Sequence, residues 1–170
     1  MDFRHPGLSP AIAASFLEAA RVCLDRHHSS PSQFVIKNGE KSGQAIVRWA
    51  TTDARSRAAW ANESDATRDG AYACVLAAIE LMIGFVAIRR AETQTGADYY
   101  VGLPGTATED LEVCLRLEVS GTDKGDRAEV IRRLKQKITQ AQEGISNLPA
   151  MAGVVGFRSQ LLVLEAVQPI

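Results

Sequence analysis

Cysteine is scarce in this sequence, and the few present carry no metal-site spacing. The 170 residues hold three, Cys23, Cys74 and Cys114, far apart and with no CxxC pair. That excludes the common zinc arrangements and any disulfide framework. Each lies in an apolar run, so each is expected to be a small core residue in a reducing, cytoplasmic setting.

An excess of positive charge is also missing. The formal net charge is −1, so the chain lacks the bulk basic footprint of a tight, non-specific nucleic-acid binder. A locally basic cleft stays open. No apolar run is long enough to suggest a membrane span. The longest, residues 71–87, is interrupted by Glu80 and followed by Arg89 and Arg90, which fits a buried helix better. Asp2, Arg4 and His5 precede no apolar segment of the kind a signal peptide needs. Ser120 and Ser159 stand outside any GxSxG context, which argues against an acyl-transfer triad. The run Gly102-Leu103-Pro104-Gly105-Thr106 has no phosphate-loop lysine.

What is present is an ordinary globular composition, 46% hydrophobic and 23% charged, of a length that suits one domain. Ser9 and Pro10 open a helix in which Ile12, Phe16, Ala20 and Leu24 share a stripe; His27-His28-Ser29-Ser30-Pro31 ends it. Residues 34–36 and 45–49 flank a polar turn containing Gly39 and read as a hairpin. Residues 51–69 read as loop with a short helix. The strongest helix is expected over 71–92, with Gly96 beyond it as a stop. Strands follow over 97–103 and 111–120, then an amphipathic helix over 127–143 with Val130, Ile131, Leu134 and Ile138 inward, then strands over 152–157 and 161–167. The expected fold is α/β (α+β), a mixed central sheet flanked by helices. An N-terminal helix and β-hairpin, residues 1–70, would extend a core over 71–167.

Three acids carry the chemical interest. Asp98 begins one expected strand and Glu118 ends the next, while Glu80 sits in a nearly uncharged helical segment. If the strands are neighbours, the carboxylates meet at one end of the sheet, where their repulsion calls for a cation. Oxygen ligands of this kind suit Mg²⁺ or Mn²⁺. Each acid also has a plain structural reading: Asp98 as a turn residue, Glu118 on a solvent face beside Arg116, Glu80 on a partly exposed stripe.

Gly96-Ala97-Asp98-Tyr99-Tyr100, followed some twenty residues on by Leu117-Glu118-Val119-Ser120-Gly121, resembles the D…(D/E)-x-K signature of PD-(D/E)xK, restriction-endonuclease-like nucleases. The preceding helix with Ala77-Ala78-Ile79-Glu80-Leu81 is similar to the first core helix of that family, which often adds a metal ligand. The resemblance covers residues 71–167. It implies a Mg²⁺- or Mn²⁺-dependent nuclease acting on DNA, with Glu80, Asp98 and Glu118 on the metal. By fold-level analogy it also implies a place in bacterial defence or mobile-element systems. Ser120 stands where the motif has its lysine and brings no charge. Lys124, Lys135 or Lys137 would then supply the relocated cation. The alternative is an inactive nuclease-fold protein serving as a subunit, adaptor or homodimeric binding module.

Other features have weaker chemical readings. His27-His28 suits a helix end. Trp49 and Trp60 are core anchors or part of a partner surface. Arg89, Arg90 and the basic residues of the 127–143 helix either touch a phosphate backbone or form a solvated face.

Overall fold

The computed structural model describes residues 1, 3–93 and 95–167. Helix α1 (Pro10–Asp25) begins where expected: Pro10 occupies the first turn and the Ser9 side chain accepts from the Ile12 amide at 3.3 Å, filling an otherwise orphan donor. Its inward face is Ala13, Phe16, Ala20, Cys23 and Leu24, and Ile12 is exposed. The expected hairpin forms from β1 (Ser32–Asn38) and β2 (Lys41–Val47). A short α2 (Ala54–Ala59) follows.

Helix α3 (Glu63–Ile83) starts earlier and stops sooner than its apolar pattern predicts. Asn62 caps it by accepting from the Ser64 and Asp65 amides. Gly84, at φ 76°, closes it in the left-handed region, which glycine adopts without a side-chain penalty. The remaining apolar residues of the expected 71–92 helix form a strand, β3 (Val86–Arg90). A run of buried residues has no period that separates strand from helix, and Gly84 inside the run is the divider.

Next come β4 (Tyr99–Gly102), β5 (Leu115–Thr122), α4 (Arg127–Glu143), β6 (Ala150–Gly156) and β7 (Leu161–Val167). All seven strands form one mixed sheet in the order β2-β1-β7-β6-β5-β4-β3. β5 and β6 run parallel, joined across α4, and β1 and β7 are also parallel. The other neighbouring pairs are antiparallel. The architecture is therefore α+β, with helices on both faces of the sheet.

The two faces bury different sets. Toward α1 and α3 lie Leu117, Val119, Met151, Val155, Leu162 and Leu164. Toward α4 lie Ala152, Val154, Leu161 and Val163, packed on Val130 and Leu134. Ile131, expected inward, is 38% exposed. α3 passes so close to β5 that a Cβ on Gly121 would meet the Ala71 side chain at 2.9 Å and the Thr67 carbonyl at 3.0 Å. The first seventy residues are more than an extension. β1 extends the sheet beyond β7, α1 packs on α3, and the expected boundary at residue 70 falls inside α3. Among the described residues, no helix is long and apolar enough to cross a membrane.

Candidate functional site

β4 and β5 pair antiparallel with Tyr99 opposite Leu117. That register sets Asp98 beside the middle of β5, where its amide donates to the Leu117 carbonyl at 2.7 Å. Its carboxylate is held at both oxygens. Tyr72 Oη on α3 donates to Oδ1 at 2.7 Å, and the Val119 amide donates to Oδ2 at 2.8 Å. Asp98 is thus more than a turn residue. Arg90 fixes the tyrosine in turn: its guanidinium lies 4.7 Å from the Tyr72 ring centre and 4.8 Å from that of Tyr99. It also donates to both hydroxyls, at 3.2 and 3.1 Å. Stacking of this sort uses the negative faces of the rings. The Tyr72 hydroxyl is pushed upward in pKa by burial and by the Asp98 charge, so it stays a donor.

Glu118 points to the other face of the sheet, toward α4. Its side chain is 3% exposed. Lys137 Nζ donates to Oε2 at 2.7 Å and Gln140 Nε2 to Oε1 at 3.2 Å. These partners sit three apart on one helix face, as the 3.6-residue period requires. Burial raises the Glu118 pKa, Asp98 adds to the rise, and Lys137 opposes it. A buried carboxylate beside a second one holds its proton more tightly than usual. The reading of Glu118 as a solvent-facing partner of Arg116 is corrected. Arg116 is itself buried and donates to the carbonyls of Thr95, Ala141 and Leu148 at 2.9 to 3.1 Å.

Two clefts meet at this pair. One, of about 540 Å³, runs between α3 and α4 over the Val119–Thr122 stretch of β5, and Asp98, Ser120, Lys124, Arg133 and Lys137 all line it. The other, of about 360 Å³, lies beyond Asp98 and includes Glu118, Arg90, Gln140 and Glu143. Asp98 belongs to both.

The remaining expected residues divide. Lys137 is the lysine at the acid pair. Lys124 is at the cleft mouth, bound to Glu63 at 2.7 Å with both side chains mostly exposed. Lys135 is exposed and lines neither cleft. Ser120 is half-buried in the cleft wall, two residues along β5 from Glu118.

Glu80 does not join Asp98 and Glu118, so the expected convergence of three acids is corrected. Its carboxylate takes Arg4 Nε at 2.5 Å and His5 Nε2 at 3.2 Å. The Ala87 amide donates to His5 Nδ1 at 3.0 Å. Nδ1 is therefore the acceptor nitrogen and the Nε2 proton goes to Glu80. His5 is fully buried, and burial lowers its pKa. Glu80 thus anchors the N-terminal segment near the far end of α3. Among the described residues, no group of three or more His, Cys, Asp or Glu side chains could hold a metal ion.

Tyr72 and Gln140 belong to no motif that marks them as site residues, and Arg90, expected on a phosphate backbone or a solvated face, instead holds Tyr72 and Tyr99. Nothing in a one-dimensional pattern sets a tyrosine 26 positions upstream of Asp98 against its carboxylate. The helical spacing of Lys137 and Gln140 is the one pattern that points to Gln140. His27 and His28 serve the fold, as their helix-end position suggests: His27 Nε2 meets Asp123 at 3.1 Å and His28 Nε2 meets the Phe157 carbonyl at 2.8 Å. Trp49 and Trp60 pack against the core and donate to Asp25 and Glu18. The chain matches no family model, no curated protein and no solved structure.

Proposed function

We propose that the chain is a metal-dependent phosphodiesterase acting on nucleic acid, with Asp98 and Glu118 as its acids and Lys137 as the cation that the motif position 120 lacks. The observation that carries this is the contact of Lys137 with Glu118, beside Asp98 and at the edge of an open cleft. It supports the resemblance to PD-(D/E)xK nucleases, as does the placement of Glu118 on β5 and of Asp98 immediately before the neighbouring strand β4, between α3 and α4. The donor set suits Mg²⁺ or Mn²⁺, since Mg²⁺ is usually held by one or two carboxylates and keeps several waters. Bound there, such an ion would polarise a phosphoryl oxygen and make a water acidic enough to attack. The protein's own part is positional and electrostatic. Tyr72 and the Val119 amide hold the Asp98 carboxylate in one orientation. Gln140 and Lys137 do the same for Glu118. Held beside Glu118 by a short charge-assisted contact, the Lys137 ammonium would add positive charge near a phosphate on the same site.

A second reading has its own support. Asp98 and Glu118 each have a protein donor on both carboxylate oxygens, and Glu80 is spent elsewhere. A network that partners every carboxylate oxygen can be purely structural, and the fold would then serve as a subunit, adaptor or homodimeric binding module. Supercoiled plasmid and single-stranded circular DNA, each incubated with the protein and Mg²⁺ or Mn²⁺, separate the two. Metal-dependent nicking that disappears in Asp98→Ala, Glu118→Ala and Lys137→Ala supports the enzyme. No nicking with either metal, and no metal-induced rise in melting temperature, supports the adaptor. A cytoplasmic setting and a role in bacterial defence belong to the same proposal.

A further inference from the structure

We propose that the cleft between α3 and α4 takes a single strand of nucleic acid, not a duplex, with Lys124 and Arg133 as its phosphate contacts. This rests on the reading of Asp98 and Glu118 as the place where phosphodiester bonds are hydrolysed. The size of the cleft is the first reason. At about 540 Å³ it falls within the roughly 300–1,000 Å³ that enclose a small-molecule-sized ligand. One or two nucleotide units match that volume, whereas a duplex would have to rest across the mouth.

The second reason is where the charge lies. The chain as a whole is slightly acidic, with net charge −1, yet Arg68, Lys124, Arg133 and Lys137 line this one cleft and outnumber its acids, Glu63, Asp98 and Asp123. Ser64, Thr67, Ser120 and Thr122 line it as well. Cations together with small donors suit a phosphate backbone and leave the bases unread.

The third reason is that the two outer cations are held by replaceable partners. Lys124 bridges from the β5–α4 loop to Glu63 at the start of α3, with side chains 63% and 52% exposed. Arg133 contacts Glu129 at 2.9 Å, but Arg132 holds that same carboxylate with two hydrogen bonds of 2.7 Å. Releasing Arg133 therefore leaves Glu129 partnered. Exposed ion pairs of this kind are weak, so a phosphate can displace Glu63 from Lys124 and Glu129 from Arg133. Glu63 then acts as a resident competitor for the strand.

The test is binding of the full chain without metal, so that it does not depend on cleavage. Fluorescence anisotropy of a short labelled single strand and of its matched duplex, in EDTA, reads the preference. The single strand is expected to bind roughly tenfold tighter or more. Lys124→Ala and Arg133→Ala each weaken it and each lower the salt slope by about one. Glu63→Gln tightens it by roughly threefold, as removal of a competing anion should. Lys135→Ala deletes the same charge from the same helix outside the cleft and leaves affinity unchanged. Equal affinity for strand and duplex overturns the proposal, as does a Lys135→Ala effect as large as that of Lys124→Ala. A nucleoside monophosphate that binds as tightly as the oligonucleotide also overturns it, because the ligand is then a free nucleotide. If plasmid is nicked but the strand preference is absent, this inference fails and the catalytic reading stands. If the preference appears without nicking, the reverse holds.

Discussion

Glu80 and Glu118 are both glutamates set in apolar stretches, and the fold treats them oppositely. Glu80 keeps 27% of its side chain exposed and meets an arginine and a histidine. These hold its carboxyl below the usual glutamate value despite the burial that works against it. Glu118 keeps 3% exposed, has a single lysine and faces another carboxylate. Its carboxyl is held above the usual value. The apolar neighbourhood in sequence is the same signal in both cases. What separates a structural anchor from a candidate site is the partner set, and in each case part of that set comes from a segment distant in the chain.

The comparison is broken most directly by removing each acid in turn. Glu118→Ala and Asp98→Ala are expected to lower metal-dependent nicking by about a hundredfold or more, the scale on which removal of a positioned acid–base group acts. Glu80→Ala is expected to leave nicking intact and to cost stability instead. It strands the His5 Nε2 proton in a fully buried ring, which costs about 1–3 kcal/mol. For a chain of this size each kcal/mol lowers the melting temperature by about 2–4 °C. If Glu80→Ala abolished nicking while the melting temperature held, Glu80 would belong to the site after all.

The two acids should also give opposite pH slopes. Below the ordinary glutamate value of 4.5 the unfolded chain binds a proton at Glu80 before the folded one does. The stabilisation from Glu80 is therefore present above that value and lost as the pH falls through the lower folded value. His5 acts in the same sense below its ordinary 6.5, because the folded state keeps it neutral. Glu118 runs the other way. Its folded carboxyl holds the proton longer, so folding is favoured at low pH and the advantage fades as the pH rises from 4.5 through the higher folded value. Thermal melts of Glu118→Gln and Glu80→Gln against the parent across this range measure both slopes. The gap should widen in favour of Glu118→Gln as pH rises, and it should close for Glu80→Gln as pH falls. Parallel curves for the two variants would refute the assignment of opposite environments.

A smaller effect is expected one layer out from Asp98. Tyr72→Phe keeps the ring against Phe16, whose centre is 4.9 Å away, and removes only the hydroxyl that holds Oδ1. A hydrogen bond to a charged carboxylate contributes about 1.5–3 kcal/mol, so nicking should fall by roughly ten- to a hundredfold. An unchanged rate would mean that the Val119 amide alone sets the carboxylate.

Much of this fold was legible in the sequence because its signals are local. Ser9-Pro10 marks α1, and α4 matches its expected span of 127–143 because Asp126 caps a clean 3.6-residue pattern. The β1–β2 turn and the last strand are equally plain. The errors arise where burial is two-sided. Residues 71–92 are apolar without a period, so β3 is hidden in the tail of α3. The row from Leu111 to Val119 alternates, yet Val113 is 64% exposed outside β5 while Arg116 and Glu118 are buried within it. α4 covers the second face, so alternation no longer separates core from solvent. At the site, Asp98 and Glu118 were visible as acids on adjacent strands. Their donors come from α3, β5 and α4, and a single chain carries no mark of which side chains those elements bring together. Glu80 misled for the same reason, since its partners lie 75 and 76 positions away.

The least effect is expected from the lysine next in line to the one that matters. Lys135 and Lys137 are two positions apart on α4, a separation of about 200° around a helix of 3.6 residues per turn. Lys137 therefore reaches Glu118 while Lys135 stays in solvent. Lys135→Ala should change neither nicking nor melting temperature beyond about 0.5 kcal/mol, the range of ordinary surface substitutions. Lys137→Ala should do both, because it removes the one cation on a buried carboxylate. That loss is softened by the raised pKa of Glu118, which lets the acid take a proton and become neutral. The stability defect of Lys137→Ala should thus shrink as the pH is lowered, while its defect in nicking should not. Lys135→Ala should show no pH dependence at all, and a defect there that tracked Lys137→Ala would place both lysines on the phosphate and none on Glu118.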